Sequence, residues 1–291
     1  MTSAAEVLAR GDDAGLSPAR GAGRRRPGTW LAGAFLALAA FACAAPGLLD
    51  PGSPSDTDLT AILRPPSWSH PFGTDQLGRD VLRRVVFGAR HSLLLGLGAT
   101  GLALAAALVV GLGAALGGRV VDAVLMRLAD ILLAFPEMLL ALLVISILGP
   151  GPSRALLAIG IAATPSYARV TRSRALVVRG SGYVEAARSL GLPGRSVVAR
   201  HVLPNTVGPL AVLATVGVGS AIVAGSALSF LGLGARPPAP EWGSMMAEGR
   251  DFIQRAWWIT VFPGAALAAT VMAVTVAGRH LRARLDGRGA R

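Results

Sequence analysis

Apolar residues along the chain gather into six runs, at roughly 30 to 49, 92 to 117, 128 to 148, 154 to 170, 208 to 231 and 258 to 278. Each comes close to the roughly 20 residues that cross a hydrocarbon layer as a helix. Lipid offers no partner to an open backbone N–H or C=O, so helices are required at that depth. The pattern predicts an all-α fold, a polytopic membrane protein with six transmembrane helices. Only Gly149, Pro150, Gly151, Pro152 and Ser153 separate the third and fourth runs, turn chemistry suited to a tight helical hairpin. Glycine is frequent in the second run (Gly96, Gly98, Gly101, Gly111, Gly113) and the fifth (Gly217, Gly219, Gly225). Small residues let helices approach closely in lipid, so these two spans are expected inside a bundle or against a partner.

Composition agrees with a bilayer as solvent: 53% of the 291 residues are hydrophobic and 15% charged. All 28 basic residues are arginine, so a nucleotide-binding loop with its lysine is excluded. The formal charge of +12 comes from arginines that flank apolar spans with few interleaved aromatics, which fits membrane orientation rather than nucleic acid. No nucleic-acid partner is expected. A single cysteine, Cys43, excludes a disulfide framework or a cysteine metal cluster within the chain. Residues 1 to 29 hold no apolar run of signal length and read as a disordered, basic cytoplasmic tail.

Orientation follows from the arginines. With the N-terminus inside, the inner connections hold 19 of the 28 and the outer side nine. The outer connections also carry Asp50, Asp56, Asp58, Asp75, Asp80, Glu241, Glu248 and Asp251, which bring them near neutrality. The positive-inside rule then puts both termini and the 171 to 205 loop in the cytoplasm. Arg79, Arg83, Arg84 and Arg90 cluster against that trend on the outer side, where an interfacial amphipathic helix is expected.

The stretch from Tyr183 to Asn205 is polar yet structured. Glu185, Ala186 and Ala187 begin a short helix, Gly191 ends it in a left-handed cap, and Pro193 discourages continuation. Pro204 is expected to close a second helical stretch. Ordering such a loop costs conformational entropy, so it is expected to dock onto something.

Glu185, Ala186, Ala187, Gly191, Leu203 and Pro204 stand at the spacing of the cytoplasmic EAA loop of binding-protein-dependent ABC importer permeases, which the chain resembles. His201 departs from the general pattern, where an aliphatic residue is more usual. His70 to Leu93 and Leu228 to Met246 resemble the outer segments of the C-type permease of dipeptide, oligopeptide and nickel importers. The resemblance covers nearly all of residues 30 to 280. It implies a tail at 1 to 29, a first helix and outer segment at 30 to 87, a five-helix permease core at 88 to 281, and a cytoplasmic tail at 282 to 291. It also implies a paired B-type permease, two ATPase subunits that use ATP and Mg, and an extracytoplasmic substrate-binding protein. No cofactor is expected on this chain and no catalytic residue. The cargo implied is a short peptide, with nickel or a metal chelate as the alternative. The two alanines offer a low-profile docking face, and Glu185 near a helix start suits the helix dipole.

The remaining chemistry is sparse. Glu137 is the only acid well within a run, a candidate pathway residue or an interfacial anchor just after Pro136. Asp130 reads as a charge at a helix N-terminus. Arg169, Arg172, Arg174 and Arg179 approach the loop and serve topology first. His70, His91, His201 and His280 are scattered, so no metal site is expected, and Ser226 has no histidine in another span for proteolysis. Trp30, Trp242, Trp257 and Trp258 near span ends read as interfacial anchors. The outer motif residues Gly73, Thr74, Asp75, Gly78, Arg79 and Asp80 form turns and caps, and a folded scaffold is favoured there over a docking surface. An ATP-independent transporter or a membrane enzyme remains as a competing class.

Overall fold

The computed structural model describes residues 27–286. Its helices are α1 (Pro27–Ala44), α2 (Val81–Leu116), α3 (Gly118–Leu133), α4 (Glu137–Leu148), α5 (Pro152–Arg179), α6 (Gly182–Ser189), α7 (Gly194–Phe230), α8 (Trp242–Gly249) and α9 (Trp258–Asp286). Among the described residues there is no β-strand, and one isolated bridge pairs Thr74 with Asp80. Helices α2, α7 and α9 are each long and apolar enough to cross a membrane, and α3 with α4 makes a fourth if the bent pair is one span. The 28 residues of α5 reach about 42 Å at the α-helical rise, with arginines crowding the C-terminal half. The chain is an all-α membrane protein.

Three runs depart from simple spans. α2 opens well before residue 92, at Val81, where the Asp80 carboxylate accepts the Arg83 N–H at 3.0 Å. Arg83, Arg84 and Arg90 therefore lie on the first turns of a spanning helix, and no separate interfacial helix forms. The boundary expected between 87 and 88 falls inside α2. The third run is broken: α3 and α4 meet at 96°. Pro136 has no N–H to donate and disfavours helical backbone at Phe135, so the chain turns there. The fifth run starts at Gly194, and Pro204 does not close a helix. A π turn over Val198–Val202, in which the Leu203 N–H donates to the Val198 carbonyl, widens the backbone just before the proline. The wider turn relieves the clash that an α-turn sets between the Pro204 ring and the Arg200 carbonyl.

The core sits where α2 lies along α5 and α7. Glycines set the approach: a Cβ on Gly111 would stand 2.7 Å from the Ala168 carbonyl, and one on Gly96 2.3 Å from the Ile222 side chain. Gly225 is pressed by Leu95 in the same way, whereas Gly101 faces open space. Leu95, Ala99, Ile145, Ile159 and Leu228 fill the seam. Between helices in lipid such close packing is the adhesive, because burial of apolar surface contributes little there. The tail expected at 1 to 29 lies outside the described residues as far as 26, and α1 already begins at Pro27. α9 runs past the expected boundary at 282 to Asp286, and the rest of that tail is also outside the described residues.

Candidate functional site

Three places along the bundle carry polar chemistry: the end that bears α6, expected to be the inner one, the middle, and the opposite end, the expected outer cap. At the inner end α6 holds Glu185 in its first turn and stops at Leu190. Gly191 follows at φ +79°. The Gly191 N–H donates to the Arg188 carbonyl at 2.9 Å and the Leu192 N–H to the Ala187 carbonyl at 3.2 Å, the paired bonds of a left-handed helix stop. Leu192 then packs with Val184, Ala187, Val197 and Val202 against Ala115 of α2 and Ala175 of α5. The structure thereby splits the two alanines expected to form one docking face. Ala187 is buried in the bundle, while Ala186 is exposed beside Glu185, Tyr183 and Leu190. Leu190, 82% exposed, is an apolar surface residue that the motif spacing did not single out. Leu203 is half-buried and Pro204 exposed on the returning helix. His201 faces Tyr183 with ring centroids 6.2 Å apart, which ties the π turn to α6.

Three of the arginines around this loop are engaged within the chain. Arg172 grips Asp122 with two guanidinium nitrogens, and Arg169 pairs with Asp130. Both acids lie on α3, so Asp130 stands near the end of that helix and not at an N-terminus as expected. Arg179 donates to the Ala115 carbonyl at 2.7 Å and clamps the end of α2. Arg174 faces Arg279 and Arg282 across a cavity between α5, α7 and α9.

In the middle, Glu137 opens α4 directly after the break. Thr100 of α2, Tyr167 of α5 and Gly217 of α7 line a cavity with it. Thr100 and Tyr167 stand near the centres of their helices, so this cavity lies midway along the bundle, with Glu137 exposed at its edge. Gly217 is needed here, because a Cβ would lie 1.7 Å from the Tyr167 hydroxyl. Neither Thr100 nor Tyr167 was legible as a site residue, since hydroxyls are common in permeable and impermeable helices alike.

The outer cap is built on a buried network. Arg79 Nε donates to Asp75 Oδ2 at 2.6 Å, and its terminal nitrogen reaches Glu248 at 2.8 Å. Arg84 joins both acids, donating to Glu248 at 3.3 Å. Asp75 also accepts the N–H groups of Leu77 and Arg79 at 2.8 and 3.0 Å, which fixes the turn. Two arginines meet two carboxylates, so the cluster is neutral although Arg79 and Arg84 are almost wholly buried. Arg83 pairs with Asp50 at 2.8 Å, and His70 Nδ1 lies 2.8 Å from Asp80. Gly73 and Gly78 sit at φ +72°, with Gly78 against the Asp58 carbonyl, where a Cβ would lie 1.8 Å away. Asp58 is held in place by the Thr60 hydroxyl and N–H at 2.6 and 2.8 Å, hydrogen bonds that lower its carboxyl below the ordinary value.

The second outer segment closes over the first. Buried Glu241 caps α8 through the Ser244 N–H at 2.9 Å and accepts from Ser92 at 3.2 Å. Trp242 and Trp258 are buried, contrary to interfacial anchoring. Their indoles donate to the Val85 and Thr74 carbonyls at 2.9 and 3.0 Å. Trp30 and Trp257 are exposed as expected. The pairs Arg84–Glu248 and Ser92–Glu241 were missed because nothing in the sequence reports contacts across 164 and 149 residues; the charges of the two outer segments were the available signal.

Residues 107–288 match the family described as binding-protein-dependent transport system inner membrane component. The dipeptide transport system permease protein DppC of Alkalihalophilus pseudofirmus is 41% identical over 252 residues, covering 87% of this chain and 82% of that protein. The di/tripeptide transport system permease protein DppC of Pseudomonas aeruginosa is 40% identical over 258 residues, covering 87% and 85%. A chain solved in inward-facing conformations of the MetNI methionine ABC transporter superposes with a TM-score of 0.57 at 20% identity, covering 69% of this chain and 95% of that one, a likeness of fold. The chain therefore belongs to the family of binding-protein-dependent transport system inner membrane components, and is a membrane transport subunit rather than an enzyme.

Proposed function

We propose that this chain is one of two paired permeases of an ATP-driven importer of short peptides, coupled through its EAA loop to a separate ATPase. A B-type permease is the partner across the pathway, two ATPase subunits consume ATP and Mg beneath the pair, and an extracytoplasmic binding protein delivers cargo. Six spans put both termini and the 171 to 205 loop in the cytoplasm.

The observation that carries coupling is the divided surface of α6. Val184 and Ala187 hold it to α2, α5 and α7, while Glu185, Ala186 and Leu190 remain exposed for a groove on a partner. A push on α6 is thus delivered to three helices that also line the mid-depth cavity. Closure of the ATPases would bias the bundle between two packed states, and so alternate its access. The Asp75, Arg79, Arg84 and Glu248 network acts as a scaffold that joins the two outer segments during that movement.

Peptide as cargo rests on the relatives named for dipeptide and di/tripeptide transport. Cells with and without this subunit are to be compared for uptake of labelled dipeptide and of labelled nickel. The reading expects dipeptide uptake to depend on the subunit; dependence of nickel uptake alone would replace peptide by metal as cargo.

A further inference from the structure

Glu137 presents an exposed carboxylate at the edge of the bundle's central cavities, in no ion pair among the described residues. Among the described residues, the ion pairs engage other acids: Asp50, Asp56, Asp75, Asp80, Asp122, Asp130, Glu248 and Asp251. Glu137 lines two adjoining cavities, of about 180 and 380 Å³, which also share Ile159, Val216 and Ser220. Every other residue lining either cavity is uncharged. The larger alone falls within the roughly 300–1,000 Å³ of small-ligand sites.

The lining is organised as a recognition site would be. Its walls are aliphatic, and Thr100, Ser166, Tyr167 and Ser220 supply hydroxyls on them. The Thr100 hydroxyl is buried and has no hydrogen-bond partner among the described residues. Glu137 is the first residue of α4, directly after Pro136. A carboxylate on a membrane-spanning segment calls for a cation to meet it. Because the carboxylate opens onto cavities instead of packing against helix, the space for that cation is already present.

We propose that Glu137 is the transient counter-ion for the α-ammonium group of a short peptide as it crosses, with the hydroxyls of Ser166, Tyr167 and Ser220 serving its amide. This rests on the peptide-importer reading above. The carboxylate would select cargo by charge within the membrane, after the binding protein has made its own selection. A peptide's own carboxylate is repelled by Glu137, so the peptide would pass with its amino end toward this subunit.

The test uses the full complex, with partner permease, ATPases and binding protein, in proteoliposomes supplied with labelled alanyl-alanine. Wild type, Glu137→Gln and Glu137→Asp are compared for maximal uptake, ATP hydrolysis stimulated by the loaded binding protein, and integrity of the complex. The proposal expects Glu137→Gln to lower uptake by about tenfold or more. Stimulated hydrolysis and assembly should persist, and Glu137→Asp should retain most of the wild-type rate. Wild-type uptake by Glu137→Gln overturns the proposal and leaves the peptide reading intact. Dissociation of the complex, or loss of stimulated hydrolysis, in Glu137→Gln also overturns it, by assigning the carboxylate to subunit packing. Failure of the wild-type complex to import the peptide overturns the cargo reading and the proposal together.

Discussion

Gly191 carries a backbone demand that other L residues meet at a cost. Its φ of +79° belongs to the left-handed region, and open space surrounds the position where a Cβ would stand. The penalty for Gly191→Ala is therefore conformational, about 1–2 kcal/mol. Gly191→Val should be worse because a β-branched side chain is stiffer there. The expected outcome is a complex that assembles but hydrolyses ATP with little uptake, checked by measuring both on one preparation. On the outer side, Arg79 is buried between Asp75 and Glu248. Arg79→Ala leaves Arg84 alone against the Asp75 and Glu248 carboxylates, and should destabilise the chain by about 3–5 kcal/mol in detergent unfolding. Ala186 and Ala187 differ by environment alone. Ala187→Arg should unseat α6 and lower thermal stability, whereas Ala186→Arg should leave stability unchanged and reduce uptake.

At the scale of elements, the seam of α2 with α5 and α7 depends on small residues. Gly217→Ala drives a methyl into the Tyr167 hydroxyl. The double variant with Tyr167→Phe removes that oxygen, so it should recover much of the thermal midpoint lost by Gly217→Ala. Thermal scans of the two variants check this. The helices themselves were legible from apolar periodicity and length, and the α6 stop from Gly191 and Pro193. Their ends were less so. α2 extends outward because Asp80 caps it and its arginines find acids from distant segments, compensation invisible to a local window. Pro136 and Pro204 look alike in sequence, yet one breaks a helix at 96° and the other is absorbed by a π turn. The difference lies in tertiary packing: Val197 and Val202 anchor the second on both sides of the π turn. Trp242 and Trp258 were misjudged for a related reason, since burial of an indole depends on an acceptor supplied from afar.

For the whole molecule, one continuous body joins the exposed loop to the outer cap. α6 rests on the inner ends of α2 and α5, and the first turns of α2 carry Arg83 and Arg84 of the cap. The end that bears α6 and the opposite cap are thus joined through α2, past the central cavity. The loop was legible as a structured element because its motif is local. The cavity was not, because Thr100, Glu137, Tyr167 and Gly217 come from four separate helices. Chain orientation is checked by single cysteines introduced at Thr60 and Tyr183, after replacement of Cys43. The outer one should react with an impermeant thiol reagent in whole cells, and the inner one only after lysis. The most direct measurement of the central claim is ATP-dependent uptake of labelled dipeptide by the reconstituted complex carrying wild-type chain or Ala186→Arg. The account predicts uptake by the wild type and a loss of about tenfold or more in the variant, with its thermal midpoint unchanged. Equal uptake by the two, or uptake without ATP, would contradict it.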